Sequence, residues 1–195
     1  MNSALIVIDV QESFRQRENW AAVSNPDIVE QVNKLVDATR AAGDLVVWVL
    51  HAEPGSGTVF DPALGHVRLI EGLRAPAEGE PTVIKTAHNA FTTTNLQQQL
   101  TQRGVREVVI SGIRTEQCCE TTARVASDLG YDVTFVTDAT ATHPIEHWHA
   151  PAGRSLAEIL ADPLTLTTDE IVTRTEYALA GRFARVTTVK ELTGS

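Results

Sequence analysis

Residues 106–137 read REVVISGIRTEQCCETTARVASDLGYDVTFVT. The apolar run in REVVIS predicts a strand, TEQCCETTARVASDLG a helix, and YDVTFVT a second strand. Strand, helix, strand in this order is the unit of a parallel sheet. The alternation continues toward both ends. SALIVIDV (3–10) is an almost unbroken apolar run ending near Asp9 and reads as a strand buried on both faces. SNPDIVEQVNKLVDATRAAGD (24–44) reads as a helix capped by Asn25, with Pro26 at its first position and Gly43 at its end. Ile28, Val32, Leu35, Val36 and Thr39 form its inner stripe. DLVVWVLH (44–51) and TVIK (82–85) are further strands, and TNLQQQLTQRG (94–104) is a helix with a glycine stop. SLAEILAD (155–162) and TTDEIVTRTEYALAG (167–181) are helices, the second with a capping pattern at Thr167 and Glu170. FARVTTV (183–189) supplies a last strand. The fold class expected is α/β, a three-layer Rossmann-like arrangement with a mostly parallel six-stranded sheet and helices on both faces. One domain is expected over residues 1–195.

Composition narrows the function. A net charge of −9 with no basic run speaks against nucleic acid and anionic membrane as partners. ALIVI (4–8) is far too short to span a bilayer and lacks the basic flank of a signal peptide. A cytoplasmic protein with reduced thiols is expected. Residues 52–81 are rich in Pro and Gly and read as a long loop of the kind that carries function or meets a partner.

Both cysteines of the chain, Cys118 and Cys119, are neighbours. They admit several readings: a redox pair, half a metal site, two core residues, or a nucleophile beside a bystander. Adjacent Cα atoms lie about 3.8 Å apart, whereas a relaxed disulfide needs roughly 4.4–6.8 Å. A zinc site needs more thiol or imidazole pairs than the chain offers. Parallel sheets bind ligands beyond the carboxyl ends of their strands. Asp9 ends one strand, Lys85 ends another, and Cys118 follows a third at the start of a helix. A thiol at a helix start is expected to have a depressed pKa. Cys119, turned about 100° further around the helix, is expected to pack. Alone, each residue reads as an apolar packer, a cap or a solvated charge. Together they form a nucleophile, a base and an electrostatic orienter.

ALIVIDVQESF, VIKTAHNAF and VVISGIRTEQCCETTARVASDLGYDVTFVTDATAT resemble the isochorismatase-like cysteine hydrolases, a superfamily that includes nicotinamidases and N-carbamoylsarcosine amidohydrolase. The resemblance runs from residue 4 to residue 142. It implies that Asp9, Lys85 and Cys118 are the catalytic triad. It also implies a cis peptide between Ile113 and Arg114, and an oxyanion hole from the backbone N–H groups of Arg114 and Cys118. Cys119 takes the family's small packing position. Metal-dependent members carry D-x-H after the second strand; here that place holds His51 and Glu53, with His66 further on, and no metal is expected. Cofactors are not expected either.

Candidate substrate contacts are Gln11, Phe14, Trp20, Phe60, Asn89, Phe91 and Gln117, with ordinary packing as the alternative for the aromatics. Arg114 is a candidate for an anionic substrate group, with a solvated arginine as the alternative. His143, His147, Trp148 and His149 lie in a His-rich excursion read as a lid or subunit contact. The expected activity is hydrolysis of a small-molecule amide or carbamoyl C–N bond through a thioester. The alternatives are an ester or enol-ether hydrolase, a metal-dependent amidase, or a silent binding protein on the same fold. A homo-oligomer, dimer or tetramer, is expected from the resemblance.

Overall fold

The computed structural model describes residues 2–194. Six strands, β1 (Ser3–Ile8), β2 (Leu45–His51), β3 (Thr82–Lys85), β4 (Glu107–Ile113), β5 (Asp132–Ala141) and β6 (Arg185–Thr187), form one sheet in the order β3-β2-β1-β4-β5-β6. Every neighbouring pair is parallel. The order reverses direction between β1 and β4, which makes the gap beyond their carboxyl ends the natural ligand crevice.

The helices are α1 (Glu12–Arg15), α2 (Ile28–Ala41), α3 (Leu96–Gln102), α4 (Glu120–Asp128), α5 (Leu156–Ala161), α6 (Thr168–Leu179) and α7 (Val189–Thr193). Alternate strand residues separate into two cores because successive side chains point to opposite faces. Ala4, Ile6, Ile8, Val47 and Ile110 pack with Leu96 and Leu100 of α3, Ala123 and Ala126 of α4 and Leu179 of α6. Leu5, Val7, Val46, Trp48 and Val109 pack with Ile28, Val32, Leu35 and Val36 of α2 and Val189 of α7. Helices thus cover both faces, as the alternating pattern predicts. None of the helices described is long and apolar enough to cross a membrane.

Several local details differ from the sequence reading. Helix α2 begins at Ile28 with Asp27 at the cap position. Asn25 instead forms the turn before it, its Oδ1 accepting from Asp27 N at 3.2 Å and its carbonyl from Ile28 N at 3.3 Å. Thr39 is only half-buried, so the inner stripe ends at Val36. Strand β5 runs to Ala141 rather than stopping near 137, because an irregularity in its pairing lets Thr140 and Ala141 rejoin Gly112 and Ile113. Two short helices, α1 and α7, lie where no helix is expected. Thr187 ends β6, and the T-x-x-E at Thr188 and Glu191 then caps α7. The capping box at Thr167 and Glu170 is present as expected.

Residues 52–81 do form a long irregular stretch, with one helical turn at Pro62–Leu64. It is fastened to the body. Glu80 accepts from Arg40 Nε and Nη2 at 2.7 and 2.8 Å and from Trp48 Nε1 at 2.8 Å. Glu12 Oε1 accepts from Glu71 N at 3.0 Å. Edge strand β3 alternates, with Val83 and Lys85 buried and Thr82 and Ile84 exposed.

Candidate active site

Asp9 follows the last residue of β1 and has φ 53°, a left-handed conformation that Asp tolerates better than most residues. Its N–H donates to Val49 O at 2.9 Å, and its carbonyl accepts from Gln11 N at 2.8 Å. The chain therefore turns sharply at the end of β1, and the Asp9 carboxylate is fully buried. Lys85, the last residue of β3, pairs with His51 of β2. Its long stem crosses the end of β2, so its Nζ lies 2.7 Å from Asp9 Oδ2 and 3.4 Å from Cys118 Sγ. The ammonium also donates to Ala87 O at 3.2 Å.

Cys118 lies in a π-type turn, Thr115–Cys119, that joins β4 to α4. Arg114 O accepts from both Gln117 N and Cys119 N and winds that turn. The Ile113–Arg114 peptide is cis. At Gly112, φ is 129° and an added Cβ would sit 1.9 Å from Ile8 O, so only glycine lets β4 approach β1 here. Cys119 is fully buried within the core, while Cys118 retains 7 % exposure. Both thiols are free.

The electrostatics depart from the sequence expectation. The Cys118 thiol is not acidified; burial first and the Asp9 charge second push it up to about 12. Lys85 pulls the other way without prevailing. The helix-start argument fails because the thiol is taken out of water and set beside a carboxylate. Burial raises the Asp9 carboxyl above its ordinary value, against the pull of Lys85. Burial opposes the Lys85 charge too, but Asp9 and Cys118 outweigh it and raise its pKa. Lys85 thus keeps its charge and Cys118 keeps its proton. Lys85 and Cys118 both bear on the Asp9 carboxylate and oppose the effect of its burial.

The other candidates divide. His51 Nδ1 is 3.3 Å from Lys85 Nζ, and its Nε2 is 3.3 Å from Glu53 Oε1. His66 does not join them; its carbonyl accepts from Ser13 Oγ at 3.0 Å. Among the described residues no group of three or more His, Cys, Asp and Glu side chains is placed to hold a metal. Gln11 is spent inside the protein: its Nε2 donates to Ser13 Oγ and His51 O, and its Oε1 accepts from His51 N at 2.7 Å. It ties the end of β2 to the turn after β1. Asn89 organises its own loop, its Oδ1 accepting from Phe91 N and Thr92 N, both at 2.9 Å. Phe91 packs into the core cluster that also holds Cys118, with its ring stacked on Tyr131 at 6.1 Å. Gln117 is exposed on the turn.

Phe14, Phe60 and Trp20 do gather. Phe60 meets His51 edge-on at 5.6 Å and Phe14 at 5.1 Å. Phe14 stacks on His143 at 6.1 Å, and His143 faces Trp20 at 6.0 Å. An aromatic wall therefore runs from the neighbourhood of Lys85 to His143. The lid expectation for His143 is corrected here. It is fully buried, whereas Trp148, in the same excursion, is 80 % exposed. The Arg114 guanidinium is held by Glu116 Oε1 at 2.8 Å, and Glu116 Oε2 accepts from Thr142 Oγ1 at 2.6 Å. A surface depression of about 780 Å³ lined by Glu107, Tyr131 and Asp132 lies at the amino ends of β4 and β5, remote from these groups.

Residues 3–168 match the family model described as the isochorismatase domain. Nicotinamidase 3 of Arabidopsis thaliana is 33 % identical over 152 residues, covering 72 % of this chain and 73 % of that protein. Streptothricin hydrolase of Streptomyces noursei is 38 % identical over 147 residues, covering 73 % of this chain and 55 % of that protein. The crystal structure of a cysteine hydrolase from Pseudomonas syringae pv. phaseolicola superposes with a TM-score of 0.82 at 26 % identity, covering 99 % of this chain and 91 % of that one.

Proposed function

The chain belongs to the isochorismatase family of hydrolases, and from that premise we propose that it cleaves a small-molecule amide or carbamoyl C–N bond with Cys118 as nucleophile. The observation that carries this reading is Lys85 Nζ, 2.7 Å from Asp9 and 3.4 Å from Cys118, with all three side chains buried at the sheet's switch point. The names nicotinamidase and ureidoacrylate amidohydrolase among its relatives support a C–N bond.

The neutral resting thiol sets the order of events. Thiolate formation ahead of substrate is disfavoured, so Sγ attacks the carbonyl carbon as its proton passes to Asp9. Lys85 keeps the carboxylate and sulfur aligned and offsets the negative charge shared between them. The backbone N–H groups of Arg114 and Cys118 receive the oxyanion. Asp9 returns the proton to the leaving nitrogen, the C–N bond breaks, and a thioester remains. Asp9 then takes a proton from water, the water oxygen attacks the thioester, and the thiol recovers its proton. Amide and water are consumed; acid and amine are released.

The chain acts in this reading as one domain, in a compartment where neighbouring thiols stay reduced, and as a homo-oligomer. The test of the reaction is an amide panel with mass spectrometry of the quenched enzyme. An acyl adduct on Cys118, and loss of turnover in Cys118→Ala, are expected. Hydrolysis that persists in Cys118→Ala would overturn the thioester route.

A further inference from the structure

Both ring nitrogens of His143 are buried without a hydrogen-bond partner. Buried polar groups almost always find partners inside a protein, and each exception calls for an explanation such as a catalytic role or a bound water or ion. His143 follows β5, the strand beside the one that delivers Cys118. Its imidazole is set between Phe14, stacked at 6.1 Å and 19°, and Trp20, tilted at 6.0 Å and 55°. Arg114, at the head of the turn that carries Cys118, donates through Nη2 to His143 O at 3.4 Å, so one residue ties that turn to His143.

The charge around the ring has one sign. Burial, then Arg114 and Arg17, push the imidazole down to about 4, so it is neutral and offers one N–H donor at ordinary pH. Arg114 is matched by Glu116 at 2.8 Å. Arg17 is exposed and makes no ion pair among the described residues. No carboxylate bears on His143 to offset it. In a chain of net charge −9 this is a local positive field.

We propose that His143 and Arg17 form a recognition subsite for the carboxylate of a small amide substrate whose scissile carbonyl lies at Cys118. This rests on the hydrolase reading and specifies its substrate class. The His143 N–H donates to a carboxylate oxygen, Arg17 supplies the opposite charge, and Phe14 and Trp20 hold the ring in line.

Iodoacetate and iodoacetamide test it, because they carry the same electrophilic carbon with and without a carboxylate. Each is reacted with the full-length protein, and alkylation at Cys118 is followed by peptide mapping that separates it from Cys119. Relative to a free cysteine peptide, the iodoacetate-to-iodoacetamide rate ratio at Cys118 is expected to be about tenfold higher and to fall with salt. In His143→Phe and Arg17→Ala the ratio returns toward the free-peptide value. In His143→Gln, which keeps a donor, most of the preference survives. Circular dichroism confirms that each variant is folded. A free-peptide ratio in the wild type, or a raised ratio untouched by both His143→Phe and Arg17→Ala, overturns the subsite. Amide hydrolysis is scored separately. Turnover with a free-peptide ratio removes the subsite and leaves the hydrolase; a raised ratio without turnover on any amide removes the hydrolase reading instead.

Discussion

Cys118 and Cys119 are chemically identical and adjacent, yet the fold places them differently, Cys118 beside Lys85 and Cys119 wholly inside the core. Cys118→Ala is expected to lower kcat/KM at least about a thousandfold, as loss of a covalent nucleophile does. Cys119→Ala should leave kcat/KM nearly unchanged and cost about 1 kcal/mol, seen as a melting temperature lower by about 2–4 °C. The raised thiol pKa gives a second expectation. With a value near 12, the alkylation rate of resting Cys118 should climb about tenfold per pH unit from neutral to strongly alkaline solution, as the thiolate fraction does. A plateau near neutral pH would mean that the thiolate is already formed. That Asp9, Lys85 and Cys118 gather at one edge of the sheet was legible because the first two end predicted strands and the third opens the helix after another. The thiol's pKa was not, since a residue's own stretch of sequence carries no record of how deeply other segments bury it. The burial of His143 escaped for the same reason: Phe14 and Trp20 arrive from more than a hundred residues away.

At the scale of elements, the approach of β4 to β1 is the most exacting feature. Gly112→Ala would drive a methyl into Ile8 O, at 1.9 Å, in a backbone conformation that side chains rarely adopt. The variant is expected to lose at least about 3 kcal/mol and to melt at least about 6 °C lower, or to fail to accumulate as folded protein. A melting temperature within a degree of wild type would contradict the close approach. The alternation of strands and helices was readable because buried strands are continuous apolar runs and the helices carry stripes. Boundaries were not. The start of α2 depends on whether Asn25 bonds to the helix or to the turn before it. The extension of β5 depends on an irregularity that hydropathy does not register. The capping pattern ahead of α7 was present in the residues, but it overlapped the stretch read as a strand.

For the molecule as a whole, pH reaches stability through His143. Its pKa is about 4 in the folded chain against an ordinary 6.5. Between these values the unfolded chain binds more protons than the folded one, so stability rises with pH. The contribution is complete above about 6.5 and is lost as the solution is acidified toward about 4, with an upper bound of about 3 kcal/mol. Denaturant midpoints of wild type and His143→Phe across that window should show a steeper slope in the wild type; parallel slopes would refute the assignment. Quaternary structure is read by light scattering, where a dimer or tetramer is expected and a monomer at all concentrations would remove that part of the proposal. Edge strand β3 brings chemistry and assembly together. It buries Lys85 completely and leaves Ile84 57 % exposed, the reverse of what hydropathy alone would choose. A slip of one residue would exchange the two and satisfy apolar burial. What resists that slip is the charge waiting on Asp9. The carboxylate meets Lys85 only when β3 holds the observed register, so chemistry at the sheet's edge and the pairing of its last strand share one contact. Asp9→Asn is expected to loosen that edge, seen as faster amide hydrogen exchange over residues 82–85.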